Sequence, residues 1–180
     1  MIFAMFRRSG NQRVIDRLHG DIVAAVRQPA LYADYGVEDT FEGRFELLTL
    51  FATLLVRRLA LLPPPAPEAA QELTDRIFSE LDAAMREMGV GDLAVPKRIK
   101  KFADAFLGRR NAYDAALSAT TNDQLEAALA RNVYGLDADG TGKAARLARY
   151  ALAAQTALEA APLETFMKGS APFPKAEMIG

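Results

Sequence analysis

The 180-residue sequence has no cysteine and a single histidine. Those two absences remove disulfide frameworks, thiol catalysis, zinc fingers and iron–sulfur ligation together, and they fit a reducing compartment. Charge of one sign is also missing. The formal net charge is −1, which excludes bulk affinity for DNA and means that any electrostatic partner is met by a local patch. Long apolar runs are absent as well: the longest uncharged one, LLTLFATLLV from Leu47 to Val56, has ten residues, against about twenty for a membrane-spanning helix. The first residues, MIFAMFRR, place their arginines after the apolar residues, the reverse of an export signal. Phe3, Phe6, Arg7 and Arg8 suit either packing on the body or a small interfacial anchor. The expected location is therefore cytoplasmic, with peripheral contact at the inner face of the cell membrane.

What is present is helical spacing. With 51% hydrophobic and 25% charged residues the chain can bury a real core, and no stretch alternates with period two over β-branched residues. An all-α class follows, as an irregular single-domain bundle of about six helices. The first opens at Ser9 or Asn11 and stops before Pro29; ALYADYGVED then reads as a loop. Asp39 or Thr40 caps a second helix that ends at PPPAP, and a third runs from about Glu68 to Gly89. Pro96 opens the fourth, a Thr121–Gln124 capping box the fifth, and Lys143 to Ala160 form the sixth. Residues 1–8 make an extension, 9–168 the body and 169–180 a tail.

Catalytic patterns are weak. DADG at Asp137–Gly140 begins like a calcium loop, but the bidentate Glu required at the twelfth position is replaced by Ala148. Asp16, Asp21, Asp75 and Asp82 read as solvated helix faces, and His19 stands in no catalytic frame. Neither an enzyme nor a cofactor or metal site is implied.

The second helix is more informative. On a 100° wheel Phe41, Phe45, Leu48, Ala52, Leu55, Val56 and Leu59 share one arc, and Glu42, Glu46, Thr49, Thr53 and Arg57 form a polar stripe. Other leucines fall outside the arc, so the helix is either central or offers a second apolar face to a partner. Arg44 lies inside the apolar arc, where a guanidinium needs a carboxylate from another helix, with Asp82, Glu80 and Asp104 as candidates. Alternatively it lines an open groove and serves a client. Gly43 beside it costs about 1 kcal/mol in mid-helix, which is tolerable where another backbone passes close by.

MGVGDLAVPKRIKK, residues 88–101, places Lys97, Arg98, Lys100 and Lys101 at a helix start, close to Asp92. Each cation there opposes the helix dipole by about 0.3–1 kcal/mol. With Ile99, Phe102 and Phe106 facing the core, these cations point outward, joined further along by Arg109 or Arg110. That arrangement points to a partner-binding patch.

DTFEGRFELLTL (39–50), MREMGVGDLAVPKRIKKFADAFLGR (85–109), AYDAAL (112–117) and LARNVYG (129–135) resemble the ubiquinol–cytochrome c chaperone family, over about residues 10 to 170. The resemblance implies a helical, non-enzymatic factor for assembly of the cytochrome bc1 complex, with newly made cytochrome b or bc1 intermediates as partners. Mitochondrial relatives also dock at the ribosomal tunnel exit. Asp16 and Asp21 interrupt what would be an acid-poor presequence, so the resemblance is to the bacterial form. The rival reading is a lipid- or quinone-handling helical protein at the membrane face, which would need an enclosed apolar chamber of several hundred cubic ångströms.

Overall fold

The computed structural model describes residues 2–87, 95–135 and 141–179, with the side chains of residues 2–10, 95, 96, 98 and 141 outside the description. Prolines and caps set the element boundaries. Helix α1 (Ile2–Val26) ends before Pro29, which opens a short α2 (Pro29–Ala33) where the sequence suggested a loop. The reason is local: proline in the first turn sacrifices no helical hydrogen bond. Thr40 caps α3 (Phe41–Ala60), its hydroxyl accepting from the Gly43 N–H at 3.1 Å. After the proline joint come α4 (Ala66–Glu87), α5 (Val95–Leu117), α6 (Asp123–Val133) and α7 (Thr141–Ala160). The expected capping box of α6 does not form: Asn122 takes the cap position and makes no side-chain cap bond. Helix α8 (Leu163–Met167) and a 3-10 turn (Ala176–Met178) follow. No strand occurs among the described residues, and the all-α expectation holds.

Helix α3 is the axis of the fold. It packs against α1, α4, α5, α6 and α7, and Leu47, Leu50, Phe51, Leu55 and Leu59 on several of its sides are fully buried. Each such side chain contributes about 1.5–3 kcal/mol of apolar burial. The wheel left a central position or a partner-facing one open, and the central one is what occurs. Because the helix is surrounded, the middle of its polar stripe, Glu46, Thr49 and Thr53, is buried too. The Thr49 and Thr53 hydroxyls donate to the carbonyls of Phe45 and Thr49, four residues back, at 2.9 and 2.7 Å. At the far end of α3, Arg58 donates to the carbonyls of Leu158, Glu159 and Ala161 and so satisfies the C-terminus of α7.

Two of the acids read as solvated faces hold tertiary contacts, whereas Asp75 and Asp82 meet only Gln71 and Arg86 of their own helix. Asp16 pairs with Arg76 across α1 and α4 at 2.9 Å, and Asp21 accepts the Ala171 N–H at 2.7 Å. Half-buried His19 lies near Arg76; burial first, then that cation, lowers its pKa. No helix among the described residues is long and apolar enough to cross a membrane. The aspartates of DADG lie outside the described residues.

Candidate functional site

Helix α5 is fastened to the body by aromatic rings. Phe102 meets Phe45 and Phe41 of α3 edge-on, with ring centres 4.9 and 5.4 Å apart, and Phe106 meets Phe78 of α4 at 5.2 Å. With that face committed, Lys97, Lys100 and Lys101 are exposed, and none makes an ion pair among the described residues. Leu107 is exposed further along the same helix. Asp92 and the Arg98 side chain lie outside the described residues. Arg110 is half-exposed.

Arg109 does not join this surface. Its guanidinium turns inward to the Glu46 carboxylate on α3, where Glu46 is 8% exposed, and lies 5.8 Å from the Phe45 ring centre. Glu46, inside the polar stripe of the wheel, thus sits in a buried ion pair, because α5 covers that side of α3. Burial raises the Glu46 pKa, and the bond and charge of Arg109 only partly offset it. Desolvation therefore outweighs attraction in this pair. Beside it, Tyr113 is fully buried, and among the described residues no group meets its hydroxyl in good hydrogen-bond geometry, the Asn132 side chain lying nearby. Burial, reinforced by the nearby Glu46 charge, drives its pKa far up.

Arg44 takes the opposite course. It is exposed and pairs with Asp39 at 2.7 Å, not with Asp82, Glu80 or Asp104. Asp82 holds Arg86 and Glu80 holds Arg76. The first turn of α3 projects past the packed layer: Glu42 is exposed and Phe41 only half-buried, so the direction that is apolar lower down opens to solvent here. The bond from Arg44 holds the Asp39 carboxyl below its usual range. Arg44 and Asp39, with Arg27, Pro29, Tyr32 and Ala33, line a depression open to solvent. Gly43 is fixed by contact: a Cβ there would lie 2.0 Å from the Glu38 carbonyl oxygen.

Sequence reasoning missed the Glu46–Arg109 pair, whose members lie 63 residues apart. The available signal was the near-complete apolar circumference of α3: a helix greasy on most sides is surrounded, so its remaining polar positions need partners.

The family model for ubiquinol-cytochrome C chaperones matches residues 33–173. The crystal structure of the Cbp3 homologue from Brucella abortus is 37% identical, superposes with a TM-score of 0.87, and the match covers 100% of both chains. No curated protein matches the chain.

Proposed function

Since the chain belongs to the ubiquinol–cytochrome c chaperone family, we propose that it acts without catalysis as an assembly chaperone of the cytochrome bc1 complex and binds newly made cytochrome b. The observation that supports a location for binding is the exposed, unpaired set Lys97, Lys100 and Lys101 on a helix whose other face is locked by Phe102 and Phe106. Unpaired cations at a helix N-terminus are unfavourable locally. A rigid helix that carries them outward offers charge to the loops of a membrane protein or to the anionic headgroups around it. In this reading the protein works at the cytoplasmic face of the membrane. Arg110, Arg98 and Asp92 flank the patch in sequence, and the Arg44–Asp39 depression is a secondary contact, with Glu42 and Gly43 beside Arg44 in sequence.

The rival lipid- or quinone-handling reading gains nothing from the Arg44–Asp39 depression or from a second one beside Asp16, Glu72 and Arg76, because both are open to solvent and carry charged side chains on their walls. The test is genetic and biochemical. Loss of the gene should lower assembled bc1 and its b-type haem spectrum while leaving other respiratory complexes near normal. The triple variant Lys97→Glu, Lys100→Glu, Lys101→Glu should reproduce that loss with folding intact. Normal bc1 in the deletion strain would refute the role. Normal cytochrome b capture by the triple variant would refute the surface.

A further inference from the structure

Beyond Gly169 the chain crosses the body without regular secondary structure, bends where the Phe173 N–H donates to the Ala171 carbonyl at 2.8 Å, and closes in the turn Ala176–Met178. Side chains from four other parts of the fold hold its main chain. Asp21 of α1 accepts the Ala171 N–H at 2.7 Å. Gln28, between α1 and α2, accepts the Ala176 N–H at 2.6 Å and donates to the Pro174 carbonyl at 3.3 Å. Tyr150 of α7 donates to that same carbonyl at 2.8 Å. Tyr35 lies against the carbonyls of Ala176, at 2.9 Å, and Ile179. These contacts address main-chain groups, which every peptide carries.

Side-chain selectivity is confined to few positions. Ala171 and Ala176 are buried and contribute only methyl groups, while Phe173 meets the fully buried Phe51 edge-on at 5.2 Å. An aromatic residue followed three positions later by a small one is what the cleft accommodates. Main-chain hydrogen bonds joined to one or two side-chain pockets are the chemistry of peptide recognition. The occupant is also detachable in principle. It follows α8 after a glycine at φ +75°, so its release breaks no helix, and terminal segments open at far lower free energy than the core.

We infer that the cleft formed by Asp21, Gln28, Tyr35, Phe51 and Tyr150 is a peptide-binding site, filled in the resting chain by residues 171–179. On displacement of that segment it takes a short stretch of a partner protein with an aromatic residue three positions before a small one. This site is separate from the α5 cations, and its test does not depend on the identity of any client.

The probe is a labelled synthetic peptide of residues 169–180, and the protein is the full chain carrying Phe173→Ala, which weakens the resident segment and leaves the cleft intact. The peptide should bind this variant at least tenfold more tightly than the unchanged chain. Adding Gln28→Ala should abolish the gain. A peptide with Pro172, Pro174, Lys175 and Glu177 all changed to Ser should bind within threefold of the original, whereas one with Phe173→Ala should not bind. A folded Phe173→Ala chain that ignores the peptide overturns the proposal, as does equal binding of the Phe173→Ala peptide. Hydrogen exchange on the unchanged chain is a check free of any variant. The Ala171 and Ala176 amides should exchange through an opening well below global unfolding, and protection equal to that of α3 overturns the inference. An unchanged chain that dimerises through its tails and loses peptide uptake as it does so assigns the cleft to a second copy, and likewise overturns it.

Discussion

In its first turns α5 exposes Lys97, Lys100 and Lys101 with no ion pair reaching them among the described residues, whereas three turns later Arg109 is drawn onto the buried Glu46 and Tyr113 is sealed from solvent. Both ends carry cations on one continuous helix. What separates them is cover: Arg109 and Tyr113 meet the buried Glu46 side of α3, whereas Lys97, Lys100 and Lys101 stand exposed away from the rings of Phe102 and Phe106 that dock the helix. A charge that is covered must be paired, and its removal is felt in stability. A charge left uncovered and unpaired is nearly free to change as far as folding is concerned, so its retention is a matter of binding.

The largest stability effect is expected at the covered end. Arg109→Ala leaves the Glu46 carboxylate buried without its partner, and urea denaturation should register a loss of about 3 kcal/mol, the lower part of the range for a broken buried pair because the arginine itself is partly exposed. Adding Glu46→Gln should recover most of that loss, because the uncompensated charge is then gone. A double variant no more stable than Arg109→Ala would show that the arginine acts through its packing on Phe45. Next comes Gly43→Ala, which drives a methyl group into the Glu38 carbonyl and should cost about 1–3 kcal/mol. An unchanged midpoint would mean that the segment before α3 yields easily. At the uncovered end, the lysine-to-glutamate triple variant should lose no stability, because it takes three cations away from the positive end of the helix, while client capture falls. Arg44→Ala belongs with it, since its exposed pair with Asp39 leaves the unfolding midpoint almost untouched.

Much of this contrast could be read in the sequence, and the part that could not has one cause. Pro29, the prolines after Leu62 and the threonine before Phe41 mark helix ends by local chemistry, and the structure places ends there. Helical periodicity likewise gave Ile99, Phe102 and Phe106 as the inward face of α5 and sent Lys97 and Lys101 outward. A wheel, however, reports the direction of a side chain and not what stands in that direction. Arg44 and Glu46 exchange their expected environments for this reason: α3 protrudes at its first turn and is enclosed one turn later. The roles of Asp16, Asp21 and Gln28 were illegible for a related reason, because each meets a partner sixty or more residues away, and no local pattern encodes such a meeting.

The smallest effect sharpens the account of the covered end, because it asks which force governs the Glu46–Arg109 pair. Burial is the leading influence on Glu46 and holds its folded pKa above the ordinary value of 4.5, despite the attraction of Arg109. Between the unfolded and folded pKa values the folded chain keeps a proton that the unfolded chain has lost. Stability from this group is therefore fully present below the unfolded value and is lost as the pH rises through the folded one. Glutamine at this position does not titrate. The stability of Glu46→Gln relative to the unchanged chain should consequently climb as the pH is raised from about 4 toward neutrality, then level off once Glu46 is ionised. Exposed pairs such as Asp39–Arg44 run the other way, with a lowered carboxyl pKa, but they are common to both chains and cancel in the difference. Urea midpoints of the two chains measured across that range give the slope directly. A difference that falls with pH would mean that the attraction of Arg109 exceeds the penalty of burial, and that the covered half of α5 is held down by charge instead of by the aromatic packing around it.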